Sequence, residues 1–269
     1  MTKKSPKYDV IVVGAGAAGV GVGVTLKHLG VVNFTIVDRH EIGASFMRWP
    51  AEMRFISPSF IANGFGLMDL NAVAIGTSPA YSLHKEHPSG KEFAGYLRGV
   101  AKHFDLPVQS GIDVACVRKA GRTFYLETTI GELRSRFVIW AAGEFQYPRL
   151  QPFPGAELCC HNATIESWQS ITGDEVVVIG GYESGIDAAV NLVRLGKTVR
   201  VLDKTPPWDV NDPDPSLTLS PYTLRRLQTA NRTHRLQLLE AVVTRVERNG
   251  AGFVLYDQTG ERLHTPIPP

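Results

Sequence analysis

The chain has little cysteine: Cys116, Cys159 and Cys160 are the only three in 269 residues, too few and too poorly spaced for a disulfide framework. It also lacks any apolar run approaching the roughly 18 residues that a membrane span needs. Its first apolar stretch is broken by glycines and does not have the shape of a signal peptide. Charge of one sign is missing as well, because 28 basic residues against 26 acidic ones leave a formal +2, which builds no surface for nucleic acid. No metal is expected, since His84-x-x-His87 stands without a second ligand pair. No Ser-His-Asp arrangement can be argued from spacing either. These absences point to a cytoplasmic protein with reduced thiols, whose partners are small molecules and not membranes or nucleic acid. A hydrophobic content of 43% and a charged content of 20% are those of a globular chain, long enough for one large core or two ordinary ones.

What is there is organised around Tyr8 to Gly19, YDVIVVGAGAAG. Asp9-Val10-Ile11-Val12-Val13 is an almost unbroken β-branched run, the signature of a parallel strand buried on both faces. Gly14, Gly16 and Gly19 follow at once. The first glycine makes a tight turn, the second admits a pyrophosphate against bare backbone, and the third lets the next helix pack on the strand. The helix N-terminus then offers free N–H groups and the positive end of its dipole to the phosphates. A second strand, Phe34 to Val37, ends on Asp38, an acid placed to accept both hydroxyls of an adenosine ribose.

From Ala17 to His28 a helix is predicted, although Gly21 and Gly23 inside it each cost about 1 kcal/mol against alanine. Close approach of the helix to the sheet is their expected use. Glu41 to Leu83 loses all periodicity and reads as a functional loop over a bound cofactor or substrate, with Ser45 and Phe46 among its candidate contacts. Ser89 caps an amphipathic helix to Phe104, and Pro107-Val108 begins the next strand. Three short segments, Val114 to Arg118, Thr123 to Thr128 and Leu133 to Ile139, form an antiparallel meander that runs into Ala141-Ala142-Gly143.

After the Pro-rich join Pro148 to Gly155 the pattern restarts. Glu175 to Ile179 is a second buried strand, followed by Gly180-Gly181-Tyr182-Glu183-Ser184-Gly185, a helix to Leu195, and a strand from Thr198 that ends on Asp203. Pro206 to Pro221, with five prolines, is a long loop, and Tyr222 to Asn231 a crossover helix. Leu236 to Leu239, Val242 to Glu247 and Phe253 to Tyr256 are expected to repeat the meander. The predicted fold is therefore α/β: two Rossmann-like nucleotide-binding domains, each with a parallel sheet and an antiparallel β-meander, over residues 1–153 and 154–269.

Two such motifs in one chain resemble the two-dinucleotide-binding-domain flavoproteins, over nearly the whole length. The resemblance implies FAD at the first site, NADPH or NADH at the second, and an FAD-dependent NAD(P)H oxidoreductase in which nicotinamide reduces flavin. By position it places Gly14, Gly16, Ala17, Ala18 and Gly19 at the FAD pyrophosphate, Asp38 and Arg39 at the adenosine ribose, Val114 at the adenine, and Ala141-Ala142-Gly143 at the family's Ala-Thr-Gly strand end. At the second site it places Gly180, Gly181, Tyr182, Glu183 and Ser184 at the pyrophosphate, with Asp203 and Lys204 at the ribose. Asp203 favours NADH, while Lys204 and Arg200 favour NADPH. The family more often uses NADPH, and the expectation follows it.

Within the superfamily the chain is most similar to flavin-containing-monooxygenase-like proteins, through Gly90 to Phe104 with Leu106-Pro107-Val108 and through the run from Ala142-Gly143 to Pro154-Gly155. Their F-x-G-x-x-x-H fingerprint is matched at Phe153 and Gly155, but Cys159 takes the histidine's place and His161 follows two positions late. Tyr182 replaces the middle glycine of the second motif, as in bacillithiol-disulfide-reductase-like relatives; the cysteine those carry before the last glycine of the FAD motif is Ala18 here. The expected function is monooxygenase-like, with a disulfide, quinone or carrier reductase and a non-catalytic nucleotide-binding redox sensor as alternatives. No catalytic side chain is assigned; His84, His87 and His161 are candidate proton donors. Homodimers are common among relatives. The family's C-terminal return to the FAD domain is missing after Thr265, so a fragment that binds flavin weakly is expected.

Overall fold

The structure is a computed structural model in which residues 7–61, 68–144, 147–250, 252–265 and 269 are described. Its contacts divide the chain into two compact units. One runs to Arg48 and again from Pro58 to Tyr147; the other takes Trp49–Ser57 and everything from Pro148 onward. By contacts the units join at Tyr147/Pro148, and Trp49–Ser57 of the long loop belongs to the second unit.

In the first unit β1 (Lys7–Val13) is apolar from Val10 onward because both of its faces are covered there. Ile11 and Val13 pack with Val37, Leu126 and Leu133, while Val10 and Val12 pack with Phe34, Ile36 and the helix residues Val22 and Leu26. α1 (Ala17–His28) and β2 (Phe34–Asp38) complete the first βαβ step. Gly23 does bring α1 onto the sheet, since a Cβ there would meet the Ile36 side chain at 2.6 Å. Gly21 does not; it faces the loop, where a Cβ would meet the Val73 carbonyl oxygen at 2.6 Å.

The stretch read as one loop contains two short helices, α2 (Ala44–Met47) and α3 (Pro79–Leu83). Buried Asp69 holds its second half: the carboxylate accepts Ser78 Oγ at 2.7 Å and the Ala80 amide at 3.0 Å. α4 (Gly90–His103) starts at a capping box in which the Glu92 amide donates to Ser89 Oγ and the Ser89 amide donates to the Glu92 carboxylate. β3 (Val108–Ser110), β4 (Val114–Ala120), β5 (Thr123–Thr128) and β6 (Gly131–Trp140) follow. All six strands form one sheet in the order β3-β2-β1-β6-β5-β4. β6 serves both halves: Gly131 to Ser135 pairs antiparallel with β5, and Arg134 to Trp140 pairs parallel with β1.

The second unit repeats the plan with β7 (Glu175–Ile179), α5 (Glu183–Arg194), β8 (Thr198–Asp203), α6 (Pro221–Asn231) and β9 (Leu236–Glu240). Its parallel sheet is β7-β8-β9, and its meander is β10 (Val243–Asn249), β11 (Gly252–Asp257) and β12 (Arg262–Thr265). Two sequence expectations are corrected here. Leu236 to Leu239 belongs to the parallel sheet, because a strand that follows a crossover helix returns parallel to the strand before it. The meander's third strand is the unanticipated Arg262–Thr265.

Trp49–Ser57 is built into this second unit. The Ala51 amide donates to the Glu166 carbonyl at 2.8 Å, and the Glu52 carboxylate accepts Ser167 Oγ at 2.6 Å and the Trp168 amide at 3.0 Å. Among the described residues no helix is long and apolar enough to cross a membrane, and no His, Cys, Asp or Glu cluster could hold a metal ion.

Candidate dinucleotide sites

The first candidate site forms where β1 stops. Gly14 has φ +108°, and its amide donates to the Val37 carbonyl at 2.8 Å, which folds the turn back on β2. A Cβ on Gly14 would collide with the Ala141 carbonyl, and one on Gly19 with the Gly14 carbonyl. Both glycines are therefore set by backbone packing. Gly16 is different: a Cβ there would meet no heavy atom within 4 Å. It is the N-cap of α1 and has no side chain to satisfy the helix amides, so the free N–H groups at Ala17 and Ala18 border open space.

Asp38 closes the turn from the far side. Its carboxylate accepts the Ala15 amide at 2.6 Å and the His40 amide at 2.7 Å. Arg39 points elsewhere and donates to the Tyr147 hydroxyl at 3.2 Å. Gly43, which the motif did not flag, donates its amide to the Ala15 carbonyl at 3.1 Å and so draws α2 with Ser45 and Phe46 toward the turn. Phe46 packs edge-on against Phe93 at 4.9 Å, and Ser45 is exposed. Val114 lies just past Ile112, whose amide donates to the Asp38 carbonyl at 2.8 Å. Ala141 is bonded to the Val13 carbonyl at 2.8 Å, with Ala142 and Gly143 following it at the end of β6. The candidates at Gly14 to Gly19, Asp38 and Ala141 to Gly143 thus gather where β1, β2 and β6 end, whereas Val114 starts β4 level with the beginning of β6 and is tied to the turn only through Ile112.

The second unit rebuilds this turn bond for bond. Gly180 has φ +98° and donates its amide to the Leu202 carbonyl at 2.8 Å, and a Cβ on Gly185 would collide with the Gly180 carbonyl. Asp203 accepts the Gly181 amide at 2.5 Å and the Thr205 amide at 2.7 Å. Ser184 and Lys204 are exposed beside it. A difference lies at Gly180, where a Cβ would meet nothing: among the described residues no strand pairs with β7 on the side that β6 takes beside β1.

Tyr182 stands where Gly16 stands in the first turn. Its backbone is extended, φ −86°, so glycine is not required there, and its hydroxyl reaches the Ser216 carbonyl at 3.2 Å. Trp208, missed in the sequence, donates Nε1–H to the Gly181 carbonyl at 2.9 Å. Glu183 accepts Ser220 Oγ at 3.2 Å, the Ser220 amide and the Thr223 hydroxyl. The Pro-rich loop is therefore fastened to the second turn through Tyr182, Trp208 and Glu183. A lone tryptophan among prolines was the only available signal.

Two of the candidate histidines have structural roles. His161 Nδ1 accepts the Ala163 amide at 3.1 Å and caps a short helical turn, and His84 has φ 52° at the end of α3. Burial pushes the Cys159 thiol up to about 11, with Cys160 and Glu157 adding to the shift.

A family model for pyridine nucleotide-disulphide oxidoreductases matches residues 11–268. The chain belongs to that family. It is 31% identical over 197 residues to an uncharacterized oxidoreductase, CzcO, of Bacillus velezensis, covering 70% of this chain and 52% of that protein. Bacilliredoxin reductase Bdr of Bacillus subtilis is 25% identical over 90% of this chain and 69% of its own length. A flavin-containing monooxygenase structure from Stenotrophomonas maltophilia shares the fold, with a TM-score of 0.72 and 20% identity over 96% of this chain and 75% of that one. The chain spans about half the length of the first curated relatives it matches. Family membership implies FAD and a nicotinamide dinucleotide as cofactors. The residues present fit these groups: open backbone at Gly16 with α1 behind it in the first turn, an α5 N-terminus without a side-chain cap in the second, and at each strand end an acid whose backbone bonds leave carboxylate lone pairs for a ribose.

Proposed function

We propose that the chain is the nucleotide-binding part of an FAD-dependent NAD(P)H oxidoreductase, with the unit that contains Gly14 to Asp38 holding FAD and the unit that contains Gly180 to Asp203 holding the nicotinamide dinucleotide. The observation that carries this reading is the duplicated bond set: Ala15 and His40 amides on Asp38, Gly181 and Thr205 amides on Asp203. When bound, the nicotinamide supplies a hydride that flavin N5 accepts. The chain's own residues bind and orient. The N-termini of α1 and α5 would hold the pyrophosphates, and Asp38 and Asp203 would hold the adenosine riboses.

The preferred acceptor is oxygen, in monooxygenase-like chemistry, a reading supported by the Phe153 and Gly155 match. Gly155 is structurally required, since a Cβ would collide with the Val246 carbonyl. The similarity to a bacilliredoxin reductase favours a second reading, a reductase whose disulfide acceptor is external. An internal dithiol relay is disfavoured by the raised Cys159 thiol. Anaerobic titration of FAD-reconstituted protein with NADPH and NADH tests the main claim. Bleaching of the flavin band supports it, and flavin that binds without bleaching overturns it. Oxygen uptake that depends on added substrate then separates the two acceptors.

A further inference from the structure

We infer that the second turn selects the dinucleotide with a free 2′-hydroxyl, NADH over NADPH, and that Asp203 is the specificity-determining residue. The inference rests on the second-site reading above and reverses the NADPH expectation.

Asp203 cannot swing aside, because its two oxygens are held separately by the Gly181 amide at 2.5 Å and the Thr205 amide at 2.7 Å. A carboxylate fixed in this way keeps lone pairs for the two donating hydroxyls of a ribose. A 2′-phosphate in the same place would bring a dianion against a fixed negative charge. The first turn supplies an internal comparison. Asp38 is held by the same pair of backbone donors, and the adenosine ribose of its proposed ligand, FAD, carries no 2′-phosphate.

Arg200, one of the two cations that could reverse this choice, is not arranged to do so. Arg200 bonds the Glu175 carboxylate at 3.2 Å. Glu175 opens β7 opposite Thr198, whereas Asp203 lies beyond the Ile179–Leu202 pair, at the other end of the strands. The group beside the acid is an indole: a Cβ built on Gly181 would lie 3.0 Å from both Trp208 Nε1 and Asp203 Cβ. An NADPH site places a guanidinium there to meet the phosphate. Lys204 is exposed and is matched in the first turn by Arg39, also next to its acid.

Calorimetric titration of the FAD-saturated chain with ADP-ribose and with its 2′-phosphate tests this by binding alone. ADP-ribose is expected to bind about tenfold or more tightly. Asp203→Asn should bring the two within about threefold. Asp203→Ser, which keeps an acceptor for the Gly181 amide, serves if the amide variant does not fold. Equal or tighter binding of the 2′-phosphate by the unmodified chain overturns the inference and leaves a nicotinamide dinucleotide site standing. A ratio that survives Asp203→Asn overturns the assignment of the residue. Binding of neither ligand removes the second-site reading itself, and the inference with it.

Discussion

Gly19 rides directly on the carbonyl of Gly14, so that a methyl on the first would be driven into the oxygen of the second; Gly185 and Gly180 repeat the contact. The two turns can therefore be damaged one at a time. Gly19→Ala forces α1 away from β1 and should weaken FAD binding by about tenfold or more, the scale of an overpacking cost of about 1–3 kcal/mol. Gly185→Ala should weaken ADP-ribose binding to a similar degree while FAD affinity stays within about twofold. Flavin fluorescence quenching and calorimetry read the two sites separately. Loss of FAD binding in Gly185→Ala would sink the one-turn, one-ligand assignment.

Tyr182 links the second turn to its own Pro-rich loop through the bond to Ser216. Tyr182→Phe removes that bond and keeps the ring. Proteolysis within 206–216 should then be several-fold faster, at a net cost of about 1 kcal/mol for the lost hydrogen bond. Cleavage at an unchanged rate would mean that Trp208 and Glu183 hold the loop without it.

The Cys159 thiol is pushed up to about 11, mainly by burial, and its Sγ lies 4.0 Å from the Gly155 carbonyl. At pH 8 it should alkylate with iodoacetamide much more slowly than exposed Cys160, its rate climbing only as the pH nears 11. Mass spectrometry of the labelled peptide distinguishes the neighbours. Equal rates at pH 8 would restore a reactive vicinal pair.

Glu52 illustrates the opposite shift. Burial raises its pKa, but the bonds from Ser167 Oγ and the Trp168 amide outweigh it and hold the carboxyl below the ordinary glutamate value. Stability from a lowered carboxyl pKa is fully present above the unfolded value and is lost as the pH falls through the folded one. Glu52→Gln should therefore cost about 1 kcal/mol at pH 7, and the difference should shrink below about pH 4. Urea unfolding of both proteins across that range measures it. A gap that is the same at pH 3 and pH 7 would show that the charge contributes nothing.

The first turn was legible because its causes are local. The glycine spacing, the unbroken β-branched run and the Ser89 cap each act within a few residues, and α1 runs from Ala17 to His28 as predicted. Leu236 to Leu239 was assigned to the wrong sheet because four mixed residues pair equally well with either. The crossover helix before them, not their own pattern, decided it. Trp208 and Glu52 were invisible for a stronger reason. Their partners, the Gly181 carbonyl for Trp208 and the Trp168 amide and Ser167 hydroxyl for Glu52, are distant in sequence, and a pairing over that distance leaves no trace in local residue pattern.

Because Trp49–Ser57 packs with the second unit, the chain passes from one unit to the other three times, at Arg48/Trp49, Ser57/Pro58 and Tyr147/Pro148. No single cut therefore dissects this protein into its two parts. Residues 1–147 expressed alone would carry Glu52 away from Ser167 and Trp168, and 148–269 would lose the acceptor for the Trp168 amide. The same holds for recombination between relatives: a crossover at the proline-rich join would transplant a nucleotide-binding unit without its nine-residue strap. Functional chimeras should come only from exchanging both segments together.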